Sequence, residues 1–267
     1  MNNIIYPEKV HAVKLEYRRQ KLEKMVQGCI KIIDGVPKVY VTYDPDYPQY
    51  DKSHPRRLVA SSRLGKFYIE KIKEYQSVKS EYDSLLNSWN ERFRQAPPRV
   101  IFPISQFYDP HTMNNEFFKK QQDCTGRYKS DNPTVSDHGE LKSKNEQFAA
   151  DLLKQMDIPF KYETSVYLPA INEIINPDYL VNFYEIDRCA YLEVLGMGDK
   201  VDYSLKTGTR IFGLSSEHYR PGREVIYIFL YDRYNFDEGY FINEVFAAFE
   251  NMIPNCALVW EDQQKAV

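Results

Sequence analysis

The order of the elements predicted after residue 143 constrains the fold of this chain more than any other feature. Residues 143–158 carry apolar side chains at helical spacing and begin with a capping box, in which Ser143 precedes Glu146 by three residues. Next come three short β-like runs, a helix, an apolar strand and a final helix, with the runs at about residues 160–168, 175–183 and 189–196. We therefore expect an α/β unit with an αβββαβ core, in which helices flank a mixed sheet.

The remainder of the chain predicts two further regions. Residues 1–95 contain a charged helix, a β-hairpin with Asp34-Gly35 in its turn, a loop at about residues 44–57 and a long amphipathic helix. Residues 96–140 are rich in proline, glycine and polar residues, which is typical of a linker or an irregular lobe. The predicted organisation is therefore an N-terminal helical and hairpin region at 1–95, a linker at 96–140 and the αβββαβ core at 141–267.

Composition favours a soluble protein of the cytoplasm. Hydrophobic residues make up 43% of the chain and charged residues 27%, and no run of roughly 18 apolar residues predicts a membrane span. The N-terminus lacks the pattern of an export signal. The cysteines are far apart and form no CxxC or CxxxxH group, which argues against a disulfide framework and a structural zinc site: Cys29, Cys124, Cys189 and Cys256.

Charge is distributed unevenly along the chain. Residues 1–95 contain 18 basic and 12 acidic residues, a net charge of +6, whereas residues 96–267 contain 17 and 26, a net charge of −9. This asymmetry indicates a polyanion-binding arm beside a cation-binding site, with phosphate contacts expected from arginines of the arm: Arg18, Arg19, Arg56 and Arg57. The alternative is that both regions are ordinary solvated surfaces.

Two acids stand on consecutive predicted strands, Asp178 in NPDYLV and Glu193 in AYLEVLGMG. Because paired strands lie about 4.8 Å apart, two acids on the same face can share one hard cation. Mg²⁺ is the natural candidate, with Mn²⁺ as a substitute, and Asp178 and Glu193 are its predicted ligands. Glu146 is expected on the helix edge that faces the sheet, where a second ion or an ordered water could be held.

Each acid also has a structural explanation. Glu146 can simply close the capping box, and Asp178 after Pro177 can initiate a turn. Glu193 is harder to explain in this way, because a carboxylate inside an apolar strand is costly to bury unless it is paired or bound to metal.

The same residues carry a family resemblance. The segments HGELKSKNEQFAADLLKQMDIPFKYET, INPDYLV and YLEVLGMGDKVDY resemble the restriction-endonuclease-like PD-(D/E)xK nuclease superfamily, and in particular a group of its bacterial and phage members. The hairpin GCIKIIDGVPKVYVTY and the long helix after it also resemble the N-terminal region of that group. The resemblance implies a restriction-endonuclease-like fold, with Glu146 as the helix acid and Asp178 and Glu193 as the strand acids.

The chain departs from the superfamily pattern at Leu195, where a lysine is usual. Strand alternation places residue 195 on the same face as Glu193, so the expected ammonium is missing there. Members of the superfamily can supply this lysine from elsewhere in the chain, and the candidates here are Lys144, Lys161, Lys200 and Lys206.

Helical spacing places Tyr203, Lys206 and Arg210 on one face of the helix after the Glu193 strand. That face either contacts a phosphate backbone or is an ordinary solvated surface, and Lys144, Lys206 and Arg210 are the predicted substrate-binding residues. From all of this we expect a Mg²⁺-dependent endodeoxyribonuclease that acts on DNA. The alternatives are a catalytically inactive relative that binds nucleic acid and a protein-interaction module built on the N-terminal helices.

Overall fold

The computed structural model describes most of the chain, namely residues 4–102, 113–123, 134–136, 139–196, 201–230, 235–254 and 257–260. Two compact units are present. The C-terminal unit comprises Met1–Val10 and Ile101–Leu258, and the N-terminal unit comprises His11–Val100 and Val259–Val267. The division of the chain into regions at 1–95, 96–140 and 141–267 stays a prediction. None of the helices in the described ranges is long and apolar enough to cross a membrane.

The first part of the chain contains two helices and a small sheet. In chain order the elements are α1 (Glu8–Glu23), β1 (Gln27–Ile33), β2 (Val36–Tyr43), β3 (Arg56–Val59), α2 (Arg63–Arg92) and β4 (Arg99–Val100). Strands β1, β2 and β3 pair side by side as an antiparallel sheet with β2 in the centre. The predicted turn joins β1 to β2, since Asp34 and Gly35 both adopt a positive φ, as a tight hairpin turn requires.

Alternation along β2 explains how this sheet attaches to α2. Val39 and Val41 are buried and pack against Tyr68 and Ile72 of the helix. Helix α2 begins at a serine cap, where the Ser62 hydroxyl accepts the N–H of Gly65 at 3.0 Å. The predicted loop ends earlier than expected, since β3 begins at Arg56. A strand of four residues is too short to show a hydrophobic period of its own, so the sequence did not reveal it.

The second part of the chain contains the remaining elements. In chain order these are α3 (Asn115–Lys120), β5 (Thr134–Ser136), β6 (Gly139–Leu141), α4 (Lys144–Gln155), β7 (Phe160–Tyr162), β8 (Val166–Leu168), β9 (Glu173–Ile175), β10 (Tyr179–Phe183), β11 (Arg188–Leu195), α5 (Val201–Ser216), β12 (Val225–Phe229), α6 (Glu238–Met252) and β13 (Leu258–Val259). The main sheet has the order β12-β11-β10-β7, in which β7, β10 and β11 are antiparallel and β12 runs parallel to β11.

The predicted α/β class with a mixed sheet is confirmed, but the first of the three β-like runs divides in two. Strand β7 joins the main sheet, whereas β8 pairs with β9 in a separate two-stranded sheet. Glu163 has a φ of 49° between β7 and β8, a left-handed conformation that interrupts an extended strand. The hydrophobic pattern alone does not reveal this break.

Strand β11 lies at the centre of the unit, and all eight of its residues are buried. On one face of the sheet, Leu180 and Tyr191 pack with Leu214 of α5 in one apolar cluster. On the other face, Phe183 stacks on Phe249 of α6, with ring centroids 4.7 Å apart. Because both faces are covered, a charged side chain within β11 loses most of its contact with water, and it is costly to bury unless polar groups surround it.

Candidate functional site

Asp178 and Glu193 lie together at the end of the central strand pair. The antiparallel register pairs Tyr179 of β10 with Leu192 of β11, so one further step places Asp178 opposite Glu193. The Asp178 carboxylate accepts the backbone N–H of Val194 at 2.7 Å. Only 3% of Glu193 is exposed, and Asp178, which is partly exposed, lines the same cavity as Glu193.

This cavity has a volume of about 740 Å³ and is lined mainly by polar side chains. Its walls come from the segment before α4, the turn after β7, strand β9, the ends of β10 and β11, and helix α5. The two predicted strand acids thus open into a polar space and not into the apolar core.

Burial and mutual repulsion shift the titration of both acids. Burial raises the pKa of Asp178 well above its usual value, and the negative charges of Glu193 and Glu146 raise it further. Burial also raises the pKa of Glu193 to about 7, an effect that the nearby Arg210 guanidinium opposes. Two acids that lose protons reluctantly on their own are stabilised in the ionised form by a bound cation.

The hydrogen bonds of Glu193 support this interpretation. Its Oε2 atom lies 3.4 Å from Nη1 of Arg210, at the edge of hydrogen-bonding distance. Its Oε1 atom is buried and has no hydrogen-bond partner among the residues that the structure describes. An unsatisfied carboxylate oxygen is costly to bury, so the site offers an available ligand for a hard cation.

The donor set for such a cation is small. In the described ranges, no group of three or more His, Cys, Asp or Glu side chains is arranged to hold a metal ion. Asp178 and Glu193 are the two carboxylates that the strand register brings opposite each other at the cavity. Two carboxylates fit Mg²⁺, which usually keeps several waters and is held by one or two carboxylates together with substrate phosphates.

Glu146 lines the cavity, but hydrogen bonds occupy both of its carboxylate oxygens. Oε1 accepts the Ser143 hydroxyl at 3.0 Å, and Oε2 accepts the Lys142 N–H at 3.0 Å and the Tyr162 hydroxyl. The Ser143 Oγ in turn accepts the N–H of Glu146, which completes the cap of α4. Glu146 therefore acts on the acid pair through its charge, and its role as an auxiliary catalytic acid stays a prediction.

Among the described residues, three cationic side chains line the cavity: Lys142, Lys206 and Arg210. Lys206 and Arg210 come from α5, as the helical spacing predicts. The Lys142 ammonium forms an ion pair with the buried carboxylate of Glu163. Sequence reasoning missed Lys142 and Glu163, because Glu163 lies at a break between two strands, where its φ is positive and strand alternation does not predict the direction of its side chain.

The other lysines that the sequence suggested have different positions. Lys144 is exposed and is not among the described residues that line the cavity. The Lys161 ammonium donates to the carbonyl of Gln121 and lies 5.0 Å from the ring centroid of Phe118, near α3. Lys200 and the side chain of Tyr203 lie outside the described residues.

Leu195, which stands where the superfamily pattern has a lysine, is 6% exposed and is likewise not among the described lining residues. The cation nearest to the acid pair in the described structure is therefore the Arg210 guanidinium, beside Glu193. In comparisons with known proteins, no protein family, no curated protein and no solved structure matches this chain.

Proposed function

We propose that this protein is a metal-dependent nuclease that hydrolyses DNA phosphodiester bonds. The observation that carries the proposal is the juxtaposition of Asp178 and Glu193 on neighbouring strands, at a polar cavity, with one Glu193 oxygen lacking a partner in the described structure. The order of α4, β7, β10, β11, α5 and β12 supports a restriction-endonuclease-like core, because it follows the expected αβββαβ series.

The metal would be Mg²⁺ or Mn²⁺, held by Asp178 and Glu193. When bound, such an ion supplies a water of lowered pKa and neutralises charge on the phosphate. The protein contributes the fixed positions of the two carboxylates. The Asp178 carboxylate is held by the Val194 N–H, so its place relative to β11 depends on the backbone and not on a flexible loop.

Arg210 is the best candidate for the cation that the superfamily pattern places at position 195. It extends from α5 to Glu193, and 43% of its side chain is exposed, so the guanidinium can also reach a ligand. A guanidinium presents planar donors that match two phosphate oxygens. Lys206 lines the same cavity and is exposed, which suits it to a phosphate further along the strand.

The first rival function is an inactive nuclease-like protein that binds nucleic acid, and Leu195 is the observation that favours it. The second is a protein-interaction module built on the N-terminal helices. An activity assay distinguishes the enzyme from both. Purified protein is incubated with plasmid, linear duplex and single-stranded DNA, in Mg²⁺, in Mn²⁺ and in a chelator, and cleavage is expected only with metal.

Three variants make the assay specific to this site. Asp178→Asn and Glu193→Gln keep the size of each side chain and remove a charged ligand, so both are expected to lose metal-dependent cleavage. Glu173→Gln is the matched control, since Glu173 is exposed on the wall of the same cavity. Cleavage by Asp178→Asn at the wild-type rate, or cleavage that persists in chelator, would contradict the proposal.

A further inference from the structure

The three-stranded sheet of the N-terminal unit has one face turned away from α2. Strand pairing aligns Lys31 with Lys38, and Tyr40 with Arg57. Because alternate residues of β2 share a face, Lys38 and Tyr40 lie opposite to the buried Val39 and Val41. We call the surface formed by Lys31, Lys38, Tyr40 and Arg57 the basic sheet face.

The basic sheet face concentrates like charge at a cost in stability. Lys31 and Lys38 are direct cross-strand partners, and like charges in that position destabilise a sheet. None of the residues in β1, β2 or β3 is acidic. In the described structure, none of the three basic side chains forms an ion pair within the protein.

Three of the arginines that the sequence suggested as phosphate contacts are engaged within the unit. Arg18 pairs with Glu81 at 3.2 Å, and Arg19 pairs with Glu16 at 2.6 Å. The Arg56 guanidinium donates to the Tyr68 hydroxyl, and its carbon lies 5.5 Å from the Tyr68 ring centroid. Of the four arginines first expected to contact phosphates, Arg57 is therefore the exposed one that no carboxylate or hydroxyl holds in the described structure, and it belongs to the basic sheet face.

An aromatic ring lies at the centre of this surface. The Lys31 ammonium lies 5.5 Å from the Tyr40 ring centroid, and the Arg57 guanidinium carbon lies 5.8 Å from it. Lys31 and Arg57 belong to the strands on either side of β2, so the ring is flanked by two cations. Rings and guanidinium groups both stack on nucleobases.

We propose that the basic sheet face binds single-stranded nucleic acid. Lys31, Lys38 and Arg57 contact successive phosphates, and an unpaired base stacks at Tyr40 and Arg57. A duplex keeps its bases stacked on one another, and an acidic peptide offers charge without bases, so neither uses the ring. This binding site goes beyond the proposed cleavage activity and does not depend on it.

The test is a fluorescence anisotropy titration with a labelled single-stranded oligonucleotide, in chelator so that no cleavage occurs. One triple variant carries Lys31→Gln, Lys38→Gln and Arg57→Gln. A matched triple variant carries Lys52→Gln, Lys66→Gln and Lys73→Gln, which removes the same charge from exposed positions of the same unit. Binding is compared over a series of salt concentrations.

The sheet variant is expected to lose affinity, and its log–log salt dependence should decrease by roughly 2, at about 0.7 for each lost phosphate contact. The control variant should show a much smaller decrease in this slope, because it loses the same net charge but no phosphate contact. Equal losses in the two variants would show that only net charge matters and would overturn the proposal. Undetectable binding by the wild-type protein would overturn it as well.

Two further measurements separate stacking from charge. Tyr40→Ala is expected to weaken binding roughly five-fold or more, whereas Tyr40→Phe, which keeps the ring, should bind like the wild type. Unlabelled single strands should compete better than the same sequence as a duplex or than polyglutamate. An equal loss from Tyr40→Phe, or better competition by polyglutamate, would overturn the assignment. Lys31→Gln alone, at an exposed position, provides the test if the triple variant does not fold.

Discussion

The carboxylate of Asp178 accepts a 2.7 Å hydrogen bond from the N–H of Val194, the residue that follows Glu193. This bond joins the start of β10 to the end of β11 at the point where the two acids meet. It fixes the position of the Asp178 carboxylate relative to β11 by backbone geometry. The repulsion between the acids is thus built into the fold, and binding of the proposed cation would relieve it.

The first prediction is that Asp178→Asn is more stable than the wild type without metal and less stable with metal, which is a crossover in stability. The pKa of Asp178 is raised in the folded state, so its ionisation opposes folding. The destabilisation is absent below the unfolded-state pKa and grows as pH rises toward the folded-state pKa. In chelator at pH 8 the variant should therefore have a higher Tm than the wild type.

With saturating Mn²⁺ the order should reverse, because the wild type gains stability from binding and the variant lacks a ligand. Thermal melts with and without metal measure both effects. Glu173→Gln again provides the control, with no crossover expected. A wild-type Tm that does not respond to Mn²⁺ would argue against a metal at the acid pair.

The second prediction concerns Arg210. Loss of a fixed cation from such a site commonly lowers the rate on the order of 100-fold, so Arg210→Gln should reduce single-turnover cleavage by about that factor. Arg210→Lys should retain part of the activity, because the charge remains while the planar donors are lost. Lys206→Gln should mainly weaken DNA binding. Cleavage by Arg210→Gln at the wild-type rate would assign the role to another cation.

The third prediction is a pH dependence of the N-terminal unit. His11 is 1% exposed, its Nε2 lies 2.9 Å from the carbonyl oxygen of Leu85, and burial lowers the pKa of its ring below 6.5. As pH falls through about 6.5, the unfolded chain takes up a proton that the folded unit does not, so stability should decrease. Above that pH the contribution is constant.

Tryptophan fluorescence reports this change, because both tryptophans of the chain, Trp89 and Trp260, belong to the N-terminal unit. Denaturant titrations at pH 5.5 and pH 7.5 should give a lower midpoint at the acidic pH. His11→Gln should reduce the difference between the two midpoints, and substitution of the exposed His54 should not. An unchanged difference in the His11 variant would remove the basis for this assignment.

The fourth prediction compares two glycines. A Cβ atom at Gly28 would lie 2.2 Å from the carbonyl oxygen of Tyr40 and 2.8 Å from Ile72, so Gly28→Ala should destabilise the N-terminal unit by about 2 kcal/mol. At Gly208 in α5, a Cβ atom would meet nothing within 4 Å. Gly208→Ala should therefore stabilise the C-terminal unit by roughly 0.5–1 kcal/mol. Urea denaturation followed by circular dichroism measures both changes, and destabilisation by Gly208→Ala would contradict the second.

Local patterns predicted the elements that carry Asp178 and Glu193. The apolar β-like run around Glu193 and the capping box at Ser143 are short-range signals, and strand β11 and helix α4 lie where these signals place them. The signals did not predict the Lys142–Glu163 pair, because the contact depends on a single positive φ between two short strands. Arg210 was predicted to face substrate, but its position beside Glu193 depends on how α5 packs on the sheet. Side chains that meet across elements are thus the part of the site that a single sequence conveys least.

The last prediction concerns Leu195. From the sequence, a lysine at this position is expected to raise activity if no other lysine supplies the cation, and to do little or harm folding if Lys144, Lys161, Lys200 or Lys206 already does. In the structure Leu195 is 6% exposed and Arg210 already lies beside Glu193, so an ammonium at position 195 would be desolvated near another cation. Leu195→Lys should therefore lower the Tm without increasing cleavage. Leu195→Met, which conserves volume, should cost less than about 1.5 kcal/mol.

The double variant Leu195→Lys/Arg210→Gln separates the two explanations, because a lysine that reaches the acid pair should recover cleavage lost with Arg210. Recovery in the double variant would show that position 195 still opens into the site, whereas no recovery, together with a lowered Tm, would show that the cationic role has moved to α5.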